Sequence, residues 1–378
     1  MNKTRLRARL ATGVLVCLTA LALSACGEGA TGGEEQKSAS GGSAHTNGQI
    51  VFRRYFNADQ TKGALFTMNP DGSHIRQITH PPKDLPQDDY AAWSPDGKRI
   101  VFQREPVDFS TSQVMVVNPD TGDTRTVVPC AGGRCLSASH PDFTPDGHSI
   151  AYSRAFGPPI LEGVPRPIDW SKISYPDWKN YSAIFIVGLD GSDPHQVTST
   201  PERHKGELTT ETTDPAFSPN GKMLTFVRTN FQKENERFAV FVQPIGSPED
   251  AQRITPWNLN CQDKPEFSSD GELLLFRCLP EGEEGPSNLY FVHPDGTGLH
   301  KLTDEDSDKQ YLGSSFSPGF SEGEGWIVVG RTGGYGDEGN ADVFRILIED
   351  GKVVREVNLT KSVSWDSAPV WGTHPPVG

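Results

Sequence analysis

Five ionisable residues each lie a few positions before an aromatic residue, and their side chains would suit binding or acid–base chemistry. They are Asp89, His140, Asp214, Asp263 and Asp366. Carboxylates that meet at one place could hold a cation, or accept hydrogen bonds from a peptide or a positively charged partner. Each aspartate could instead cap a turn locally. The choice depends on the elements that carry these residues.

Residues 156–182 form a second candidate, a long insertion rich in proline. Its aromatic residues are Trp170, Tyr175, Trp178 and Tyr181. Aromatic side chains with polar tips are favoured in recognition surfaces, and a loop of this length within a compact domain is usually functional. We therefore predict a partner-binding loop on the same face as the aspartates. The alternative is that the loop packs on itself as a local cap.

No motif of the sequence indicates catalysis or a cofactor. A Gly-x-Ser-x-Gly elbow and a His-Glu-x-x-His pair do not occur, and the Gly-rich residues 331–342 lack the Lys-Ser/Thr of a phosphate loop. Asp304, Asp306 and Asp308 resemble the start of a calcium loop, but Lys309 occupies the position that needs glycine. We therefore assign no catalytic residue and no metal ligand, and we expect no cofactor.

Composition narrows the class of protein. The 378 residues include 39 Gly and 30 Pro, which disfavours a helix-rich protein because both residues break helices. The chain has 35 Lys and Arg against 49 Asp and Glu, a formal net charge of −14. This acidity disfavours binding to nucleic acid or to an anionic membrane surface.

A recurring turn predicts the elements that position these residues. An aromatic residue, a turn of the Pro-Asp-Gly kind and an apolar strand follow one another in five copies. The copies begin at Trp93, Phe143, Phe217, Phe267 and Phe316. Proline at the second and glycine at the fourth turn position favour a type I turn closed by a left-handed glycine. Each copy therefore predicts a tight β-hairpin.

A second series of six strand–turn–strand copies alternates with the first. Its turns contain Gly72, Gly122, Gly191, Gly246, Gly296 and Gly351. Joined, the two series give a four-stranded antiparallel unit of about 50 residues, the period of β-propeller blades. The first unit lacks an innermost strand, which residues 367–371 can supply. We predict an all-β fold, a six-bladed β-propeller closed by pairing of the N- and C-terminal strands, with Val51 beside Val370.

The five hairpins and the recurring Asp-Gly turns followed by Leu/Ile-Thr resemble the WD40-like Pro-Asp-Gly repeat of the TolB family. The same repeat occurs in the propeller domains of prolyl oligopeptidase relatives. The resemblance covers residues 49–372 and implies a propeller fold. In TolB a separate α/β domain precedes the propeller, whereas this chain looks like a freestanding propeller.

The first residues predict export. Lys3, Arg5, Arg7 and Arg9 precede the apolar residues 11–23, which are too few for a stable membrane span and are typical of a secretory signal. The following Leu23-Ser24-Ala25-Cys26 resembles the bacterial lipobox. We therefore predict a signal peptide at 1–25, a lipidated Cys26, and attachment to the outer face of the cytoplasmic membrane through this lipid only. Residues 26–48 are rich in Gly, Ser and Thr and predict a flexible tether.

Four cysteines remain for the exported body, and they allow three pairings. We favour Cys130 with Cys135 across a short Gly-containing loop, and Cys261 with Cys278 across a hairpin. A two-residue turn would oppose Cys261 and Cys278 directly, whereas a type I turn with a glycine bulge would shift them by one residue. A zinc site is the alternative, although it would normally require shorter cysteine spacings or nearby histidines.

These features together predict a propeller at 49–372 followed by a C-terminal tail at 373–378. The predicted function is a non-catalytic module that binds a protein or peptide of the cell envelope. The alternative is a propeller enzyme, a glycan lyase or hydrolase that uses carboxylates or His140 at the mouth of the channel.

Overall fold

The computed structural model describes residues 47–108, 111–130, 135, 137–156, 181–199, 203–204, 207–208, 210–232, 235–279, 287–304, 309–321, 323–333 and 340–378. Within these ranges the fold is all-β, and the helical residues are the 3-10 turns Pro248–Asp250 and Trp257–Leu259. No helix in the described ranges is long and apolar enough to cross a membrane. Cys26, Trp170, Tyr175, Trp178 and the side chain of Tyr181 lie outside the described residues.

The first and last strands of the body lie side by side. Sheet 1 consists of β26 (Trp365–Trp371), β1 (Ile50–Tyr55), β2 (Gly63–Met68) and β3 (Arg76–Gln77). Strands β1 and β26 are antiparallel, and Val51 faces Val370 as the sequence predicts. A single parallel bridge from Gly63 to Gln87 joins this group to a second one. Sheet 2 consists of β4 (Gln87–Trp93), β5 (Ile100–Glu105), β6 (Gln113–Val117) and β7 (Thr124–Val128).

The rest of the body repeats the same four-stranded antiparallel arrangement. Sheet 3 consists of β8 (Ser137–Phe143), β9 (Ser149–Phe156), β10 (Tyr181–Gly188) and β11 (His195–Gln196). A short ribbon of β12 (Arg203–His204) and β13 (Glu207–Leu208) follows. Sheet 4 consists of β14 (Thr210–Phe217), β15 (Met223–Gln232), β16 (Asn235–Pro244) and β17 (Gln252–Arg253). Sheet 5 consists of β18 (Cys261–Phe267), β19 (Leu274–Cys278), β20 (Asn288–Val292) and β21 (His300–Lys301). Sheet 6 consists of β22 (Tyr311–Phe316), β23 (Gly325–Thr332), β24 (Ala341–Glu349) and β25 (Lys352–Asn358).

The repeated turn joins the first two strands of sheets 2 to 5. In sheet 2 the Ser94 N–H donates to the Arg99 carbonyl at 2.8 Å, and the Gly97 N–H donates to the Ser94 carbonyl at 2.8 Å. The Ser94 hydroxyl also donates to Asp96 at 2.7 Å. Gly97 has a φ of 69°, which favours glycine because a Cβ is strained there. The hairpins that the motif predicts are therefore present.

Hydrophobic side chains fill the space between consecutive sheets. Val51 and Leu65 of sheet 1 belong to one buried cluster with Trp93 and Phe102 of sheet 2. Similar clusters join sheets 2 and 3, 3 and 4, 4 and 5, and 5 and 6. A sixth cluster joins sheet 6 back to sheet 1. Strands covered on both faces need not alternate polar and apolar residues, which explains the apolar runs in the sequence.

The C-terminal segment packs on the turns of sheets 1 and 2. The Gln49 N–H donates to the His374 carbonyl at 2.8 Å, and Asn69 exchanges two hydrogen bonds with the Val377 backbone. The His374 ring stacks on Trp93 with centroids 5.5 Å apart. A Cβ placed on Gly97 would lie 2.7 Å from the His374 nitrogen. The predicted tail at 373–378 thus contacts the β-structure closely along most of its length.

The structure contains the two disulfides that the sequence analysis favours, Cys130–Cys135 and Cys261–Cys278. Near the turn of sheet 5 Phe267 faces Leu274, a register that would place Cys261 opposite residue 280. A bulge between Gln262 and Glu266 shifts the register by two residues, so Cys261 faces Cys278 directly. The turn is the six-residue hairpin 268–273, and the bulge in β18 restores the alignment.

Candidate functional site

A central cavity lies among six strands, one from each sheet, that contact one another. We call β4, β8, β14, β18, β22 and β26 the inner strands, because each of them contacts the next and β26 contacts β4. The cavity has a volume of about 210 Å³. Its charged lining residues are Arg53, Asp89, Asp142, Asp263, Lys264 and Glu266. Tyr90, Trp93 and Trp371 add aromatic surface. Its walls can therefore bind donors, acceptors and apolar groups together.

Each inner strand contains a β-bulge, and each bulge includes a residue of positive φ. These residues are Tyr90, His140, Asp214, Asp263, Gly313 and Ala368, with φ between 49° and 90°. Five of them are not glycine, and non-glycine residues in this region are uncommon and concentrate at functional sites. The bulge turns the strand locally, and it lies at an equivalent interior position of each inner strand, so equivalent side chains of several sheets are brought to one level along these strands.

Three of the predicted residues share this bulge position. His140 and Asp214 lie on neighbouring inner strands, with His140 Nε2 at 3.7 Å from Asp214 Oδ1. Asp263 accepts a hydrogen bond from Arg277 Nη2 at 2.9 Å. Burial raises the pKa of Asp263, and Arg277 offsets part of this effect. Tyr90 occupies the same position in β4, and its ring contacts His140 with centroids 4.0 Å apart.

Asp89 also faces this region, one residue before the bulge of its strand. It forms an ion pair with Arg53, and Arg53 Nη2 in addition donates to the Ser367 hydroxyl at 2.8 Å. The ion pair between Arg53 and Asp89 links sheet 1 to sheet 2. Burial raises the pKa of Tyr90 well above its usual value, and Asp89, Asp214 and Asp263 add to this effect. Tyr90 is therefore a neutral phenol at physiological pH.

Asp366 differs from the other predicted residues. It is fully buried and accepts hydrogen bonds from Arg54 Nε and Nη2, both at 2.7 Å. Asp366 faces Arg54 in the register of sheet 1, as Asp88 faces Arg104 in sheet 2 and Cys261 faces Cys278 in sheet 5. One cross-strand position thus holds an ion pair in two sheets and a disulfide in a third. Of the five predicted residues, Asp89 and Asp263 line the cavity, whereas His140, Asp214 and Asp366 do not.

Further charges lie deeper in the cavity. Lys264 Nζ is 3.3 Å from Asp142 Oδ1, and the Ser315 hydroxyl donates to Glu266 at 3.1 Å. Burial raises the pKa of Glu266 to about 8, while Lys264 and Ser315 lower it in part. Burial also raises the pKa of Asp142, against the opposing effect of Lys264. Lys264 reaches this place because sheet 5 has an additional residue in its bulge.

The sequence patterns do not predict most of these partners. None of the motifs includes the partner residues Arg53, Arg277, Lys264, Asp142 and Glu266. Tyr90 occupies the bulge position of β4, but its aromatic side chain differs from the histidine and aspartates at this position in β8, β14 and β18, so the sequence pattern does not reveal it. Two signals of the sequence do point to them. First, Arg53 and Arg277 occupy the same place in β1 and β19, the strands that pair with the inner strands β26 and β18. Second, the bulge residue precedes proline in His140-Pro141, Asp214-Pro215 and Ala368-Pro369.

The described residues contain no group of three or more His, Cys, Asp or Glu side chains that could hold a metal ion. Three of the neighbouring carboxylates are instead paired with basic groups, Asp89 with Arg53, Asp263 with Arg277 and Asp142 with Lys264. The site is therefore a surface of alternating charges around an aromatic centre.

Comparison with known proteins supports the fold. No protein-family model matches the chain. The uncharacterized peptidase YuxL of Bacillus subtilis is 26% identical over 148 residues, which is 35% of this chain and 20% of that protein. The chain therefore matches about a fifth of the length of this curated relative.

Three solved structures give more extensive matches. TolB of Acinetobacter baumannii, a β-propeller protein, matches 87% of this chain and 67% of its own, with a TM-score of 0.57 and 17% identity. Hydrazine synthase of Kuenenia stuttgartiensis matches 88% of this chain and 48% of its own, with a TM-score of 0.60 and 12% identity. A chain of the nidogen/laminin complex matches along 100% of its length and 86% of this chain, with a TM-score of 0.52 and 8% identity. At these identities the likeness concerns the fold alone.

Proposed function

We propose that the body is a closed, TolB-like six-bladed propeller that binds a protein or peptide segment of the cell envelope at one mouth of its central cavity. Sheets 1 to 6 are the blades of this ring. The cyclic order of the hydrophobic clusters, with sheet 6 joined to sheet 1, and the pairing of β1 with β26 support it.

Hydrogen bonds between inner strands support the same arrangement. Asp142 accepts from the backbone N–H of Phe217 in the next sheet, and Glu266 accepts from that of Phe316. The Ser315 hydroxyl accepts from the Trp371 N–H at 3.1 Å. In each case the accepting residue lies directly before the repeated aromatic residue of its inner strand. The donor is the backbone N–H of the equivalent aromatic residue in the next sheet. Such bonds hold the blades at a fixed distance around the cavity.

The observation that carries the function is the pairing of charges around the cavity. Asp89 and Asp263 each have an arginine partner, Asp142 has Lys264, and Tyr90 is neutral. Such a surface is pre-organised for hydrogen bonds and ion pairs with a segment that enters from the mouth. The rigid bulges fix these side chains before a ligand arrives, which reduces the entropy lost on binding.

The location proposed for this module is the outer face of the cytoplasmic membrane, with attachment through lipidated Cys26. The two disulfides support an oxidising compartment. The acidic surface of the body requires that the lipid, rather than a basic patch, provides membrane contact. Replacing Cys26 by serine should release the protein from membranes into the soluble fraction. A fractionation of cells that leaves the Cys26→Ser protein in the membrane pellet would contradict the anchor.

A pull-down tests the proposed binding. The full chain, immobilised in detergent, should capture an envelope protein or peptide from solubilised membranes, and a variant without residues 157–180 tests the aromatic insertion. Ala155 and Ser182 are paired on adjacent strands, so a short Asn-Gly turn can bridge the deletion. Equal recovery by both forms would eliminate the insertion as a contact, and failure of the intact chain to capture any envelope component would contradict the function.

An enzyme is the second candidate, and two observations favour it. His140 and Asp214 lie 3.7 Å apart in an arrangement that an acid–base pair would need, and the curated relative is described as a peptidase. A glycan lyase or hydrolase in this site would lose turnover when His140 or Asp214 is replaced by asparagine. Incubation with glycan and peptide libraries separates the two functions, because the binding module turns over neither.

A further inference from the structure

We infer that Asp214 is the anchor for a cationic group, an ammonium or guanidinium carried by the bound peptide segment. This inference rests on the proposed function and names the chemistry of the partner at that site. It follows from the balance of charge around the mouth of the cavity, from one unsatisfied carboxylate oxygen, and from the neighbouring aromatic ring.

The carboxylates around Tyr90 differ in their partners. Asp89 has the guanidinium of Arg53, and Asp263 has that of Arg277. Asp214 has a hydroxyl donor, Thr213 Oγ1 at 2.9 Å from Oδ2, and the imidazole of His140 at a longer distance. Excess negative charge therefore concentrates at Asp214, because the other two carboxylates are neutralised by arginines.

One oxygen of Asp214 has no hydrogen-bond donor. Asp214 is 7% exposed, and its Oδ1 atom is buried without a partner among the described residues. A buried carboxylate oxygen left without a donor costs free energy. An incoming N–H of a cation would recover this cost and add a charge-assisted hydrogen bond. The site is thus incomplete without a donor.

Asp214 lies beside the cavity without lining it, because the ring of His140 contacts both the Asp214 carboxylate and Tyr90, and Tyr90 lines the cavity. Asp214 shares the bulge position with Tyr90 and Asp263, and both of these line the cavity. The charge of Asp214 also contributes to the raised pKa of Tyr90 and of Asp263. The ring of Tyr90 offers a π surface that favours a cation, and its phenol stays uncharged.

His140 controls access to Asp214 Oδ1. Its side chain is 20% exposed, and its Nε2 lies 3.7 Å from this oxygen, beyond hydrogen-bond distance. Its Nδ1 is near the Ser139 hydroxyl at 3.0 Å, and its ring contacts the Tyr90 ring with centroids 4.0 Å apart. A rotation of the imidazole opens the space that an ammonium or guanidinium group needs. The cation then binds next to Asp214, in the space beside His140.

Peptide display tests the inference. Random peptides displayed on phage are selected on the immobilised full chain, and enriched sequences are synthesised with acetylated N-termini. We expect Lys or Arg in the enriched peptides. Asp214→Asn should weaken their binding about tenfold or more, because a charge-assisted hydrogen bond contributes roughly 1.5–3 kcal/mol. Glu272→Gln removes the same charge from an exposed turn residue and should leave the affinity unchanged.

The peptide provides a second arm that needs no protein variant. Replacing its Lys or Arg by Gln should weaken binding to the wild type as much as Asp214→Asn does, and the two changes together should weaken it no further. Enriched peptides without a basic residue, or equal affinities for the wild type and Asp214→Asn, would overturn the inference alone. If no peptide is enriched, the proposed function itself fails and the inference fails with it.

Discussion

Asp366 and Asp89 lie on inner strands of adjacent sheets, yet the two carboxylates have different surroundings. Asp366 faces its own sheet and is enclosed by Arg54, whereas Asp89 faces the central cavity and reaches Arg53 of another sheet. Side chains alternate along a strand, so a shift of one residue decides which role an aspartate has. Residue type alone does not separate a structural ion pair from a binding group.

Replacing Asp366 by asparagine should lower stability without changing binding. Breaking a buried ion pair by removal of one partner costs about 3 kcal/mol or more, because the Arg54 charge remains buried. Asp88→Asn should behave similarly, since Asp88 has the equivalent pair with Arg104. Asp304→Asn is the control, because the Lys301–Asp304 ion pair is exposed to solvent and should contribute little to stability. Urea unfolding measures the three changes, and an unaltered midpoint for Asp366→Asn would contradict the assignment.

Glu266 makes stability depend on pH. Its pKa is raised from an ordinary 4.5 to about 8 in the folded state, so folding favours the neutral acid. The folded protein then binds more protons than the unfolded chain between these values, and stability falls as pH rises through this window. Glu266→Gln imitates the neutral acid and should raise the melting temperature by about 2–4 °C at pH 8.5.

At pH 4.5 the Glu266→Gln variant and the wild type should melt together, because Glu266 is then protonated in the fold. Glu272→Gln, an exposed control, should show no such dependence on pH. Scanning calorimetry at the two pH values provides the comparison. A difference that is larger at pH 4.5 than at pH 8.5 would have the wrong sign.

Sequence patterns locate three of the bulge residues but do not assign the partners of their side chains. His140, Asp214 and Asp263 share a position that depends on backbone φ, and the local trace of this position is a proline directly after His140 and Asp214 but not after Asp263. Arg53 and Lys264 contact carboxylates that are 36 and 122 residues away along the chain. Such contacts follow from the arrangement of sheets, which a local pattern does not contain.

At the scale of elements, the repeated hairpin is the feature that the sequence determines best. Its proline, aspartate and glycine each have a local physical role, so the turn motif alone predicts the strands on both sides of it. The position of the tail does not follow in this way. His374 contacts Gly97 and Trp93 through long-range packing, and nothing in residues 373–378 alone indicates a partner.

The contact between the tail and the first hairpin can be measured with two glycines. Gly97 and Gly147 have φ values of 69° and 70°, so alanine brings similar backbone strain at both. At Gly97 a Cβ would lie 2.7 Å from the His374 nitrogen, whereas at Gly147 the nearest atom, Pro95 Cδ, is 3.6 Å away. Gly97→Ala should therefore destabilise the fold by about 1–3 kcal/mol more than Gly147→Ala.

Removal of residues 373–378 provides the control for this comparison. Without the tail the steric clash is gone, so the two alanine variants should be destabilised equally. Guanidinium unfolding of the four proteins and the two parents gives the differences. Equal effects of Gly97→Ala and Gly147→Ala in the full chain would show that the tail does not pack as described.

For the whole molecule, the proposed function depends on where a partner binds. The inner strands carry charged and aromatic residues around the cavity, and the hairpin turns of sheets 2 to 5 follow the last residues of their inner strands. Composition and period predict the all-β fold, and the solved structures that match most of the chain have the same fold. The site could not be predicted to the same extent, because its charges come from five different sheets.

Photo-crosslinking within cells shows whether an envelope partner binds beside His140. A benzoylphenylalanine at Ser139, beside His140 at the mouth, should form a covalent adduct with an envelope protein or peptide under ultraviolet light. The same residue at Glu272, in an exposed hairpin turn, should form none. Adducts at Ser139 that disappear in the absence of light would support the claim, and adducts of equal yield at both positions, or at Glu272 alone, would contradict it.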